Sequence, residues 1–313
     1  MNEPERANIA AVLSPGTQVV CLVEARNAAQ QSAVKRGAVG VVVASVSSNR
    51  QPYLVRFADG TEAELRREEI AVRKEHQRGW LESACALDER NLRDYVIYRC
   101  VVGSRAYGLA NEESDTDRRG VYLPPADMQW AICGVPEQLE SLETEECYWE
   151  LQKFLTLALK ANPNILECLY TPEVEMATPL AQEMLAMRQA FLSQIVYQTY
   201  NGYVMSQFRK IAQDLRNGGA IKWKHAMHLI RLLLSGVEIM REGTVPIRVE
   251  AHRAELLAIR NGEVSWDELD RRRLALHKEF DEAYGRTRLP GAPDYQRVNA
   301  FLLKARRSMV DKQ

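Results

Sequence analysis

Residues 95–124 read YVIYRCVVGSRAYGLANEESDTDRRGVYLP, and the fold turns on them. The apolar, β-branched run over 96–102 predicts a strand that leads straight into Gly103-Ser104. Ten residues on comes Ser114-Asp115-Thr116-Asp117, and a second strand-like segment, GVYL at 120–123, follows. Side chains two apart on a strand point to one face, so Asp115 and Asp117 are expected to present paired carboxylates about 7 Å apart along the backbone. Two such charges at about 4 Å repel by roughly 4 kcal/mol at an effective dielectric of about 20, and bridging Mg²⁺ ions turn that repulsion into attraction. An isolated acidic pair in a turn is commonly just solvated. The specificity lies in the whole order: strand, Gly-Ser, spacer, Asp-x-Asp, strand.

That order resembles the nucleotidyltransferase signature of the DNA polymerase beta superfamily. The resemblance implies that Gly103 and Ser104 open a helix whose N-terminus holds the nucleotide's phosphates, and that Asp115 and Asp117 hold catalytic Mg²⁺ (or Mn²⁺) with an NTP as substrate. The physics agrees, because backbone N–H groups at a helix N-terminus attract phosphate and glycine permits close approach. The superfamily also needs a third carboxylate on an adjacent strand. The segment LETE over 142–145 reads as a strand end that puts Glu143 and Glu145 on one face, just before an amphipathic helix with Leu151, Phe154, Leu155, Ala158 and Leu159 on its apolar side. Counting back from the helix start favours Glu145, at a position where the family usually carries Asp; a solvated acidic strand end is the plain alternative.

A narrower resemblance rests on four blocks in one order: GSRAYGLANEESDTDRRGVYL (103–123), KFLTLALKANPNILECLY (153–170), KHAMHLIRLLLSGVEIM (224–240) and LPGAPDYQRVNAFLL (289–303). They are similar to the nucleotidyltransferases grouped as the RNA-repair-pathway polymerase beta family, over about residues 95–305. Thr116 stands where an aromatic is common between the two aspartates. The resemblance implies Arg105 and Arg119 as cations near the nucleotide; both equally suit a role as partners neutralising Asp115, Asp117 or Glu113. Lys160 and Asn162 before Pro163 read as helix-stop and capping residues.

From residue 181 onward the apolar spacing is helical, with helices expected near 180–217, 220–242, 250–260, 265–284 and 294–310. In GAIKWKHAMHLIRLLLSG, Lys224, His228 and Arg231 fall at i, i+4 and i+7 on one helix face, with Lys222 and His225 nearby. That face suits a grip on the triphosphate; the alternative is an ordinary polar face on a basic helix. His225 and His228 form an HxxH pair that lacks an obvious third zinc ligand. Arg271, Arg272 and Arg273 read as solvated surface.

Toward the N-terminus, Val-rich runs cut by glycine (TQVVCLV, VGVVVASV, PYLVRF, EAELRREEIAV) and the turn signal Asp59-Gly60 predict short antiparallel strands. The stretch 35–65 resembles the small barrels of the KOW and Src-homology-3-like kind. Lys35, Arg36, Arg56, Arg66 and Arg67 suit either phosphate contact or a solvated rim. The expected fold class is α+β: a small β-barrel over 1–80, a polymerase-beta-like nucleotidyltransferase mixed sheet with helices over 81–180, and a helical region over 181–313.

Charge follows the same division. Of 313 residues, 41 are Lys or Arg and 42 Asp or Glu, so the net charge of −1 excludes an overall electrostatic affinity for nucleic acid or acidic membranes. Residues 1–84 carry 11 basic and 10 acidic side chains, 85–198 carry 9 and 18, and 199–313 carry 21 and 14, giving nets of +1, −9 and +7. An acidic middle beside a basic C-terminal third suits a metal centre next to a surface for an anionic partner, with RNA as the expected acceptor. Six scattered cysteines form no CxxC pair and are read as reduced, buried thiols without chemistry. With no apolar run of membrane-spanning length and no signal-peptide pattern, a cytoplasmic protein is expected. The function expected is metal-dependent transfer of NMP from an NTP to an acceptor hydroxyl with release of pyrophosphate. A protein or small-molecule acceptor is the alternative within that class, and a non-catalytic nucleotide- or RNA-binding regulator is the rival outside it.

Overall fold

The computed structural model of the chain describes residues 12–26, 33–44, 46, 48, 51–84, 92–111, 114–141, 143–216 and 221–310. The chain divides into two compact units, residues 1–86 and 87–313.

In the first unit the Val-rich runs become β1 (Gln18–Cys21), β2 (Ala25–Arg26), β3 (Ala33–Val34), β4 (Val39–Val42), β5 (Tyr53–Phe57), β6 (Glu62–Leu65) and β7 (Ile70–Val72), followed by helix α1 (Arg73–Ala84). Five of them form an antiparallel sheet in the order β6-β5-β4-β1-β7, curled into a half-barrel over Val19, Tyr53, Val55, Ala63, Leu65 and Ile70. Strands β2 and β3 pair separately. Asp59-Gly60 makes the expected turn: Gly60 has φ +83° and the Asp59 carboxylate accepts the Thr61 amide at 2.9 Å. Among the basic residues here, Lys35 and Arg36 are exposed, Arg56 pairs with Glu62 at 2.7 Å, and Arg67 is buried, donating to the Ile70 carbonyl.

The second unit is built on β8 (Val96–Val101), α2 (Gly103–Tyr107), β9 (Arg118–Tyr122), α3 (Ala126–Trp130), β10 (Gln138–Ser141), β11 (Glu146–Glu150), α4 (Leu151–Leu159), α5 (Pro163–Tyr170) and β12 (Val174–Ala177). Its sheet runs β10-β11-β9-β8-β12, with β9 and β11 parallel and the other pairs antiparallel, so it is mixed as expected. Helices α4 and α5 pack their apolar stripes (Leu151, Phe154, Leu155, Ile165, Leu166, Leu169) into the same core as the sheet residues Tyr98, Cys100 and Val121. Asn162 caps α5, its side chain accepting the amides of Asn164 and Ile165, and Lys160 ends α4, as their neighbours in sequence suggest.

The chain continues into α6 (Pro179–Ala186), α7 (Ile195–Arg216), α8 (Trp223–Glu242), α9 (Arg253–Asn261), α10 (Trp266–Arg286) and α11 (Tyr295–Arg307). Helix α8 is the hub, packed against α7, α9 and α10. The single helix expected near 180–217 is two helices broken by a 3-10 turn at Arg188–Phe191. Phe191, Leu192 and Ser193 are successive and all buried, which one helix face cannot achieve. Backbone bonds from Gln194 to Pro290 and from Asp294 to Ala190 replace the helical ladder there. Cys21, Cys100, Cys147 and Cys168 are free and buried as expected, whereas Cys133 is disulfide-bonded; Cys85 lies outside the described residues. Among the described residues, no helix is long and apolar enough to cross a membrane.

Candidate active site

Strand β8 delivers its last residues to a turn that glycine makes possible. Gly103 has φ +72°, a region that costs residues with a β-carbon, and a β-carbon there would lie 2.5 Å from Oδ2 of Asp117. The Asp117 carboxylate therefore rests over the bare α-carbon at the start of α2. The Val102 amide donates to the Asp117 carbonyl at 3.0 Å, which fixes the register between the end of β8 and the entry to β9. Helix α2 is closed by Gly108 at φ +75°, and Leu109 donates back to the Ser104 carbonyl at 2.8 Å.

Asp115 and Asp117 precede β9 instead of lying on it. Asp115 is exposed, while the Asp117 side chain is 36% exposed and ion-paired to Arg119 Nη2 at 3.2 Å. Arg105 donates from Nη2 to the Ser114 carbonyl at 2.7 Å and from Nε to the Asp115 carbonyl at 3.3 Å, so it pins the loop that carries the first aspartate. Ser114 and Asn111 close that loop on itself. Glu113, a possible partner of these arginines, lies outside the described residues.

The residues expected to supply a third carboxylate sit differently from the sequence expectation. Residues 143–145 form the turn between β10 and β11, so Glu143 and Glu145 do not share a strand face, and both are exposed. Glu145 is left-handed, with φ +52°. It lies one residue before Glu146, which pairs in parallel with Arg118, itself one residue after Asp117. Glu145 and Asp117 thus each stand one residue before the paired ends of two adjacent parallel strands. Among the described residues no three acidic, histidine or cysteine side chains are gathered into a preformed metal cluster. Asp115, Asp117 and Glu145 would offer carboxylate oxygens only, a chemistry that suits a hard Mg²⁺ or Mn²⁺ ion.

The cationic face of α8 divides by depth. Lys222, the residue before the helix, and Lys224 are exposed, and His225 and His228 are half-buried. Arg231 is buried, paired with the equally buried Glu167 at 2.5 Å and stacked 4.0 Å over the ring of Tyr107. The Tyr107 hydroxyl donates to the other Glu167 oxygen. Arg231 therefore ties α8 to α5 and to the α2 helix that Gly103-Ser104 opens. Burial, then the neighbouring charges of Arg231, Lys224, His225 and Arg260, push His228 down to about 4.

Helix α9 and the segment before it grip the same neighbourhood. Arg253 donates to the Gly108 carbonyl at 3.0 Å, Arg260 to the Leu109 carbonyl at 3.1 Å, and the Val249 amide to the Tyr107 carbonyl at 3.2 Å. Sequence reading missed Arg253, Arg260, Tyr107 and Glu167. A glutamate within the apolar PNILECLY helix was the one available signal; the arginines sit in unremarkable helical sequence.

Strand β8, the glycine-opened helix α2 and an Asp-x-Asp just before the neighbouring strand β9 follow one another in the order that the sequence resemblance rests on. Residues 71–304 match the RNA repair pathway DNA polymerase beta family, and the chain belongs to it. The chain is also 29% identical over 160 residues to the uncharacterized protein YcgL of Bacillus subtilis (strain 168), a match covering 48% of this chain and 58% of that protein. The match thus spans little more than half of the relative's length.

Proposed function

We propose that the protein transfers NMP from an NTP to an acceptor hydroxyl, with Mg²⁺ or Mn²⁺ held by Asp115, Asp117 and Glu145. The observation that supports this reading is the Asp117 carboxylate lying against Gly103 at the start of α2. Bound metal would supply charge stabilisation for the entering and departing oxygens of an in-line displacement at the α-phosphorus. The amides of Gly103 and Ser104 receive the β,γ-phosphates. Lys222 and Lys224, exposed at the start of α8, offer their ammonium groups to the triphosphate, and His228 lies among the cations there as a neutral imidazole. Glu145 takes the proton of the acceptor hydroxyl. Arg105 holds the Asp115 loop, and Arg231 holds α2 through Tyr107 and Glu167.

RNA is the proposed acceptor, on the family's membership and the basic C-terminal third, and the cytoplasm the proposed compartment. The reaction class is tested by label position. With total cellular RNA and Mg²⁺, label from an α-labelled NTP is retained on the acceptor, and label from the γ-labelled NTP leaves as pyrophosphate. Retention of the γ-label would contradict nucleotidyl transfer. RNA binding that weakens steeply with salt supports an RNA acceptor, whereas insensitivity to salt points to a small molecule.

A further inference from the structure

Glu145 holds a backbone conformation that its side chain disfavours, and one side chain from the neighbouring strand holds it there. Its φ of +52° belongs to the left-handed region, where glutamate is uncommon and aspartate, asparagine and glycine are more at ease. Such conformations persist where the surroundings over-determine them. The Glu145 carbonyl accepts two hydrogen bonds, from the Arg118 amide at 3.2 Å and from Arg119 Nη1 at 2.7 Å. Nη1 also donates to the Arg118 carbonyl at 2.8 Å, and Nη2 reaches Asp117 Oδ1 at 3.2 Å. A single planar fork therefore spans the segment carrying Asp117 and the turn carrying Glu145.

We propose that Arg119 is a positioning residue that locks Glu145 into its left-handed turn and so sets the third carboxylate relative to Asp117. The assignment rests on the reading of Glu145 as the third carboxylate. Of the two roles open to Arg119 it takes the second, as a partner of Asp117, because Nη1 and Nη2 are engaged by the turn and by Asp117. Lysine cannot replace it. An ammonium keeps the charge but has one nitrogen, and cannot bridge the Glu145 carbonyl and the Asp117 carboxylate with rigid geometry.

The Arg118 amide is a built-in reporter, since it is protected by the Glu145 carbonyl. In the full chain, Arg119→Lys is expected to speed hydrogen exchange at the Arg118 amide at least tenfold, while exchange in β5 and the melting transition stay as in wild type. Adding Glu145→Asp, which keeps a carboxylate and tolerates φ > 0, should restore Arg118 protection. Mn²⁺ titration followed by its electron paramagnetic resonance signal should show affinity weakened about tenfold in Arg119→Lys at unchanged charge. Unchanged Arg118 exchange in Arg119→Lys overturns the proposal, as does faster exchange with Mn²⁺ affinity equal to wild type. If Arg119→Lys fails to fold, Glu145→Gly decides: with no strain to restrain, Arg119→Lys added to it should leave Arg118 protected, and loss of protection there overturns the proposal. Should wild type bind no Mn²⁺ while the exchange results hold, the metal reading of the site falls and the locking of Glu145 by Arg119 stands.

Discussion

Asp117 and Gly103 occupy one another's space: a β-carbon on Gly103 would stand 2.5 Å from the Asp117 Oδ2 atom. The missing side chain and the acidic one are thus parts of a single arrangement. Gly103→Ala has to leave φ +72° or displace the carboxylate. It is expected to destabilise the chain by about 1–3 kcal/mol, read by urea unfolding, and to abolish transfer. Ser104→Ala, one residue on, removes no backbone donor and should retain most activity. Full activity in Gly103→Ala would show that the turn does not shape the site.

Arg231 and Glu167 test the support beneath α2. Both are buried and 2.5 Å apart, and Tyr107 adds a third hydrogen-bonding group. Breaking such a pair leaves a charge without a partner, so Arg231→Met or Glu167→Gln should cost about 3–5 kcal/mol. Replacing both by Met should cost less than either single change, because no charge is then stranded. Additive losses in the double-mutant cycle would deny the coupling.

His228 gives the pH dependence. Its folded value of about 4 lies below the ordinary 6.5, owing to burial and then to the cations around it. Between these values the unfolded chain binds more protons than the folded one. Stability is therefore full above about pH 6.5 and falls as pH drops toward 4, by up to about 3 kcal/mol from this residue. His228→Asn should flatten that part of the unfolding profile. Equal slopes in wild type and variant between pH 6.5 and 4.5 would contradict the assignment.

Much of this was legible in sequence because it is local. Strand β8 follows from a β-branched run and the turn at Gly60 from Asp-Gly, while the pairing of Gly103-Ser104 with Asp115-x-Asp117 was legible only through the family resemblance. Long-range features were not. LETE alternates like a strand, yet residues 143–145 form a turn whose last carbonyl, that of Glu145, accepts from Arg119 on another strand. Arg231 looked like part of a solvent-facing cationic stripe; its depth is set by Glu167, 64 residues earlier in the chain. The break between α6 and α7 carries no glycine or proline to announce it; the Pro290 carbonyl accepts from Gln194 and the Asp294 amide donates to Ala190 across it.

The central claim is that Asp115 and Asp117 carry a metal-dependent nucleotidyl transfer. The most direct measurement incubates wild type and the Asp115→Ala, Asp117→Ala double variant with each α-labelled NTP, Mg²⁺ and total cellular RNA, and resolves labelled products by size. The account predicts label on RNA with wild type, lost on adding a chelator and at least a thousandfold weaker with the variant, whose melting transition is unchanged. Labelling of RNA by the double variant at the wild-type rate would contradict it.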